Sequence, residues 1–100
     1  MRLSEHARLI IKETLSRFFG EDALILLFGS RADDSKLGGD IDIYIECATL
    51  SADELVDAKI KALVELYRSL GEQKIDLVIN SQNGFSLPIY EIAKSEGIPL

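Results

Sequence analysis

The sequence predicts a small α/β fold in which helices flank a mixed sheet of three or four strands. Residues 23–28 (ALILLF) are a continuous apolar run, residues 40–46 (DIDIYIE) alternate between polar and apolar side chains, and residues 74–79 (KIDLVI) form a third short β-type segment. A long amphipathic segment separates the second and third of these, as in a β-α-β crossover. The chain has 100 residues, so we expect residues 1–100 to fold as a single domain.

The chain is predicted to open with a helix that leads into a buried strand. Ser4 can cap a helix running to about Phe19, and Gly20 is a suitable stop. The apolar residues of this helix recur at helical spacing and form one stripe, namely Leu3, Ala7, Ile10, Ile11, Leu15 and Phe18. The run 23–28 lacks polar alternation, which is typical of a strand covered on both faces.

Residues 40–46 predict a second strand with two unlike faces. One face carries isoleucines and the other carries polar groups: Ile41, Ile43 and Ile45 against Asp40, Asp42, Tyr44 and Glu46. A capping-box pattern at Ser51 and Glu54 then begins a helix that ends near Gly71. The third strand follows at residues 74–79, and Pro88 lies in the first turn of a final helix.

Composition and charge exclude several classes of function. The 11 basic and 17 acidic residues give a net charge of −6, which opposes binding of extended nucleic acid. No apolar run approaches the roughly 20 residues of a membrane span and no secretory pattern follows Met1, so we expect a cytoplasmic protein with no membrane partner. One cysteine and one histidine cannot build a Cys/His zinc site, so any metal must be held by oxygens.

Three aspartates stand in strand segments, where Asp is unfavourable. Asp40 and Asp42 lie two apart on one strand face, about 6.5 Å from each other by strand rise. Asp76 is early in the next strand, which the crossover predicts to be parallel and in the same sheet. We therefore expect the three carboxylates to meet at one end of the sheet and bind two Mg²⁺ ions, with Mn²⁺ as an alternative.

The segment 29–39 (GSRADDSKLGG) joins the first two strands, so it emerges at the same end of the sheet as Asp40 and implies an antiparallel pair. Gly29 allows close approach of a ligand to the backbone, Ser30 supplies a hydroxyl and an amide, and Arg31 could bind phosphate oxygens. These residues predict a phosphate-binding turn that faces the carboxylates. A Walker A loop and an EF-hand are excluded, because neither pattern fits residues 29–44.

Structural roles remain open for each of these residues. The aspartates could be caps or solvated charges, and the Gly-Ser pair could be a simple turn. Arg31 could pair with Asp33, Asp34 or Glu46 instead of phosphate. Tyr44 could stack on a base or pack beneath a helix, and residues around Leu87, Ile89 and Ile92 could be core or interface. Glu46 is expected to be exposed and outside the site, and Cys47 is expected to be buried.

The string GSRADDSKLGGDIDIYIE followed by KIDLVI resembles the GS-x-DxD pattern and distal Asp of the DNA polymerase beta-type nucleotidyltransferases. Within that superfamily the chain is most similar to the minimal nucleotidyltransferase family. The resemblance covers about residues 24–79 and implies the small α/β core of that family. It implies that Gly29 and Ser30 bind the triphosphate of ATP, and that Asp40, Asp42 and Asp76 are the catalytic and metal-binding residues; Arg31 is the further nucleotide-binding candidate from its guanidinium chemistry.

The same resemblance implies a function and a partner. Members of the family resemble antitoxins of HEPN ribonuclease toxins, and some transfer AMP from ATP to a hydroxyl of that toxin. The hypothesis is therefore a Mg²⁺-dependent protein adenylyltransferase acting as an antitoxin, with a homo- or hetero-oligomeric state left open. The alternative is a binding module with weak or absent transfer, which neutralises the same partner by contact alone.

Overall fold

The computed structural model describes residues 3–33, 39–71, 73–82 and 86–100. The elements in chain order are α1 (Glu5–Phe19), β1 (Leu24–Phe28), a 3₁₀ turn (Gly29–Arg31), β2 (Ile41–Glu46), α2 (Ala52–Leu70), β3 (Ile75–Asn80), α3 (Pro88–Glu96) and β4 (Ile98–Pro99). This confirms the predicted α/β fold class with its mixed sheet. Asp34 of the connecting loop lies outside the described residues.

The sheet has four strands in the order β3-β2-β1-β4. β1 and β2 are antiparallel, whereas β2 and β3 are parallel, as the loop and the crossover predicted. β4 was not predicted, because it contributes only the pairs of Leu26 with Pro99 and of Leu27 with Ile98. The N-terminal ends of β2 and β3 and the C-terminal end of β1 therefore lie at the same edge of the sheet.

Local signals fix where the helices begin and end. The Ser4 side chain accepts a hydrogen bond from the Ala7 amide at 3.1 Å and caps α1. Ser51 and Glu54 form the predicted capping box, with bonds of 2.9 and 3.1 Å between each side chain and the other residue's amide. Pro88 occupies the first turn of α3, where its missing amide costs no intrahelical bond.

The core lies in two layers, one on each face of the sheet. α1 and α2 cover the face that carries Ile41, Ile43 and Ile45, all of which are fully buried. α3 covers part of the other face, where Tyr44 is also fully buried and its ring centroid lies 5.8 Å from that of Tyr90. The packing alternative for Tyr44 is therefore the one observed.

The helices of the described ranges are too short or too polar to cross a bilayer.

Candidate functional site

The strand register brings two of the predicted carboxylates together. Asp42 on β2 is the direct neighbour of Asp76 on β3, and on its other side it faces Phe28 at the end of β1. Because neighbouring parallel strands point paired residues to the same face, both carboxylates leave the sheet on the α3 side. Asp42 is half-buried and Asp76 is exposed, so the pair opens from the sheet toward solvent.

Burial and electrostatic crowding raise the pKa of the Asp42 carboxyl. Burial has the largest effect, the negative charges of Asp76 and Asp40 raise the pKa further, and Lys74 opposes them. The neutral form of Asp42 is therefore favoured more strongly than in an isolated Asp, because the site disfavours additional negative charge.

Gly29 closes the site on the β1 side. It follows Phe28, the register partner of Asp42, and its φ of +74° lies in the left-handed region that glycine adopts without strain. A Cβ placed there would overlap Oδ2 of Asp42 and would lie 3.3 Å from its Cγ. The backbone of the turn thus lies directly against the Asp42 carboxylate.

The other two residues of the turn are half-buried. Ser30 and Arg31 continue the single 3₁₀ turn that begins at Gly29. Arg31 Nη2 donates a 3.0 Å hydrogen bond to the carbonyl of Gly39, which immediately precedes Asp40. This hydrogen bond connects the two ends of the loop 29–39 and holds the turn close to the start of β2.

Asp40 is close enough to Asp42 to raise the pKa of Asp42. The Asp40 carboxylate also forms an ion pair with Lys74. Lys74 Nζ lies 3.5 Å from Asp40 Oδ2, and both side chains are at least half exposed, at 68% and 50%. An exposed pair of this kind has little stabilising energy and exchanges readily with solvent. Within the described residues, no three His, Cys, Asp or Glu side chains are arranged to hold a metal ion jointly. The structure thus brings Asp42 and Asp76 together. Asp40 lies near them, but its carboxylate forms an ion pair with Lys74.

The donor chemistry of these residues fits a divalent cation such as Mg²⁺. The ligands on offer are carboxylate oxygens, which Mg²⁺ and Mn²⁺ prefer. The negative charges of Asp76 and Asp40 beside Asp42 raise its pKa, and a bound cation would offset the same crowding of negative charge. Asp42 and Asp76 would hold the ion, and Asp40 would join them if it left Lys74.

Lys74 is a site residue that sequence reasoning missed. It precedes β3, and its carbonyl accepts a 2.9 Å hydrogen bond from the Ile41 amide, which fixes its backbone beside the start of β2. A cation two positions before Asp76 was the available signal, since alternate residues of an extended segment share a face. Its charge partly neutralises Asp40 and lowers the pKa of Asp42.

The polar face of β2 ends in a second cluster that was not predicted. The Tyr44 hydroxyl donates to Glu46 Oε1 at 2.8 Å and accepts from Asn80 Nδ2 at 3.0 Å. Lys94 of α3 lies 2.9 Å from the same Glu46 oxygen. The expectation that Glu46 is exposed was wrong, because its side chain is only 25% exposed and is held by Lys94 and Tyr44. These contacts secure α3 to the sheet, away from the carboxylate pair.

The remaining expectations concern apolar packing. Cys47 is buried, as predicted, and burial raises the pKa of its thiol. The apolar residues at and near the start of α3 differ in whether they belong to the core. Leu87 and Ile92 are about half exposed, whereas Ile89 packs on the cluster around Tyr44.

No protein-family model matches the sequence, and no curated protein matches it. The argument for a function therefore depends on the residues of the site and their geometry.

Proposed function

We propose that this chain is a Mg²⁺-dependent nucleotidyltransferase domain of the minimal nucleotidyltransferase type, which transfers AMP from ATP to a hydroxyl of a partner protein. The observation that carries the proposal is the Asp42 and Asp76 pair set against the backbone of Gly29. Adjacent carboxylates repel, so their convergence at an open edge of the sheet needs a positive partner. A divalent cation with a bound triphosphate is such a partner, and the turn that begins at Gly29 lies beside the same carboxylate.

Each residue of the site has a role in this reaction. Asp40, Asp42 and Asp76 would hold Mg²⁺, which when bound neutralises phosphate charge and orients the reacting groups. Gly29 and Ser30 would present backbone amides and a hydroxyl to the triphosphate, and Arg31 keeps their turn near β2. Asp76 is exposed, so it is the carboxylate that an acceptor hydroxyl can reach and to which it can pass its proton.

We propose further that the acceptor belongs to a HEPN-type ribonuclease toxin and that the chain is its antitoxin in the cytoplasm. The net charge of −6 supports a protein acceptor over extended nucleic acid, because an acidic surface repels a polyphosphate backbone and attracts a basic RNA-binding protein. A toxin that must bind RNA requires such a basic surface.

A second candidate is a binding module that neutralises the same partner by contact, with weak or absent transfer. The observation that favours it is the engagement of Asp40 with Lys74, which leaves two carboxylates and not three in mutual contact. A module that acts by contact does not require a metal site. The two candidates therefore differ in whether the carboxylates are required to neutralise the toxin.

The deciding experiment combines the purified chain with its candidate toxin, Mg²⁺ and ATP labelled at the α-phosphate. Transfer predicts labelled toxin with the wild-type chain and a loss of label of more than about 100-fold with Asp42→Asn, because a metal ligand is removed. Asp22→Asn, an exposed turn residue away from the site, is the matched control and should leave labelling unchanged. If the Asp42→Asn chain neutralises the toxin as well as wild type and no label appears, the contact module is correct and the transferase is not.

A further inference from the structure

The outer face of α2 carries an uninterrupted apolar stripe that nothing in the described structure covers. Val56, Ile60, Val64 and Tyr67 follow one another at intervals of four, four and three residues, which places them on one side of the helix. They are 53%, 57%, 47% and 43% exposed, respectively. The opposite side of α2 is the one that packs on α1 and the sheet, through buried Ala62 and Leu66.

This stripe has the form of a helix–helix seam. Its spacing averages about 3.7 residues, close to the 3.6 residues per turn of an α-helix, so the four side chains stay on one face over three turns. Isolated exposed apolar residues are ordinary, but four in a row on one helix face mark an interaction surface. The stripe spans 11 residue steps, or about 17 Å at 1.5 Å per residue, which is enough for three turns of contact.

We propose that α2 pairs with α2 of a second copy of this chain in an antiparallel, two-fold symmetric dimer. Charge complementarity selects this occupant. The first turn of α2 carries Asp53 and Glu54, and its last turn carries Arg68, so an antiparallel pair sets acidic ends against basic ends. A parallel pair would set each acidic end against its own copy and would be repelled.

The antiparallel arrangement also pairs the side chains along the seam. With the two-fold axis midway between Ile60 and Val64, Ile60 faces Val64 of the second copy, and Val56 lies within one residue step, about 1.5 Å along the axis, of Tyr67 of the second copy. Beside the seam, Asp57 lies within one residue step of Arg68 of the second copy. Asp57 and Arg68 are both exposed, and Asp57 also pairs with Lys61 of its own helix at 3.0 Å. Every contact occurs twice, as an isologous interface requires.

The dimer keeps the carboxylate site accessible. α2 leads through Gly71 into β3, so its C-terminal end lies at the sheet edge that carries Asp76. In an antiparallel pair the C-terminal ends of the two helices point in opposite directions, and the two carboxylate sites lie at opposite ends of the assembly. The inference therefore does not depend on the proposed function, and loss of one does not imply loss of the other.

The test measures mass against concentration by sedimentation equilibrium, over about 10 μM to 1 mM, the range appropriate to a small interface. An ionic strength of about 0.15 M limits repulsion between two acidic chains, since the Debye length there is about 8 Å. The wild-type chain should move from one-chain to two-chain mass across this range. Ile60→Glu should weaken association by about tenfold or more, because it places a charge at the centre of the seam.

The matched control is Ile92→Glu, which makes the same change at a 47% exposed position on α3 and should leave association unchanged. Circular dichroism of each variant establishes that it is folded. Charge exchange gives an independent measurement: Asp57→Arg and Arg68→Asp should each weaken the dimer, and the double variant should restore it. A monomer at every concentration, or a dimer that Ile60→Glu leaves intact, would overturn the inference.

Orientation is tested by disulfide cross-linking in a Cys47→Ala background, so that the buried native cysteine takes no part. A mixture of Val56→Cys chains and Tyr67→Cys chains should give the mixed cross-linked dimer. Val56→Cys chains alone should not cross-link, since the two copies of residue 56 lie at opposite ends of the seam. Efficient cross-linking of Val56→Cys to itself would indicate a parallel pair and would overturn the antiparallel arrangement.

Discussion

Asp42 and Asp76 are register partners on two parallel strands, so two carboxyl groups lie beside each other at one edge of the sheet. Burial of Asp42 and the negative charges of Asp76 and Asp40 raise the pKa of Asp42, because each of them disfavours its ionised form. Substitution of Asp42 therefore tests directly whether this crowding destabilises the fold.

Asp42→Asn is expected to stabilise the fold in the absence of divalent metal. Asparagine removes one of the crowded negative charges, and its amide group can donate a hydrogen bond to a neighbouring carboxylate. The repulsion relieved is about 1 kcal/mol once solvent screening of a half-open site is considered. Urea unfolding at neutral pH with EDTA present measures the change, and Asp22→Asn on the exposed turn before β1 should show none. A destabilised Asp42→Asn would indicate that the charged carboxylate has a structural role.

Gly29→Ala is expected to destabilise the chain for two separable reasons. The φ of +74° strains any residue with a Cβ, and the added methyl would also overlap Oδ2 of Asp42. Gly71→Ala is the matched control, since Gly71 has a φ of +81° with nothing within 4 Å of an added Cβ, so it reports the backbone strain alone. Gly71 combines its φ with a ψ of −166°, a conformation essentially restricted to glycine, so we expect about 1–3 kcal/mol for Gly71→Ala. The overlap with Asp42 should add about 1–3 kcal/mol to the strain at Gly29 in Gly29→Ala.

The contact with Asp42 can be isolated by repeating both substitutions in an Asp42→Ala background. Truncation of Asp42 removes the oxygen that the new methyl would meet. The cost of Gly29→Ala should then fall to that of Gly71→Ala, as a double-mutant cycle by chemical unfolding would show. An unchanged cost would mean that Gly29 does not lie against Asp42 in solution.

Mg²⁺ is expected to raise the melting temperature of the wild-type chain, since a ligand that binds only the folded state stabilises it. Lys74→Met should increase the affinity for Mg²⁺ several-fold, because it removes a positive charge and frees Asp40 from its 3.5 Å ion pair. Thermal unfolding across a Mg²⁺ titration measures both effects. Lys61→Met is the control, since Lys61 is an exposed lysine paired with Asp57 on α2. The absence of any Mg²⁺ effect on the wild-type chain would argue against a metal site.

The fold was largely predictable because its signals are local and strong. The apolar run of β1, the alternation of β2 and the capping box of α2 each determine an element without reference to the rest of the chain. The crossover rule then placed β2 beside β3, and so Asp42 beside Asp76. β4 escaped prediction because two residues carry no periodicity, and its position depends on contact with β1.

The side-chain partners were harder to predict, because they depend on distances that the sequence does not contain. Strand spacing indicated that Asp40 and Asp42 share a face, but not that Lys74 would pair with Asp40. Likewise Glu46 was expected to be exposed, and the sequence did not indicate its partner Lys94, which lies 48 positions away on α3. Contacts between distant segments arise from packing, and residue type alone does not determine them.

Glu46→Gln should destabilise the fold at neutral pH and not at acidic pH. Hydrogen bonds from Lys94 and Tyr44 lower the pKa of Glu46, so the folded state binds its proton less tightly than the unfolded state does. The ion pair therefore contributes stability above the ordinary pKa of Glu, and that contribution disappears as the pH falls through the lowered value.

Melting temperatures measured between about pH 3 and 7 check this sign. At pH 7 Glu46→Gln should melt a few degrees below wild type, because the partly exposed pair with Lys94 is lost while the Tyr44 bond is kept. As the pH falls through the lowered pKa of Glu46, the two melting temperatures should converge, because the wild-type carboxyl then becomes neutral as well. Glu13→Gln on the exposed side of α1 controls for loss of a negative charge and should follow wild type throughout. A difference that persists unchanged at pH 3 would mean that packing of the Glu46 side chain, and not its charge, secures α3 to the sheet.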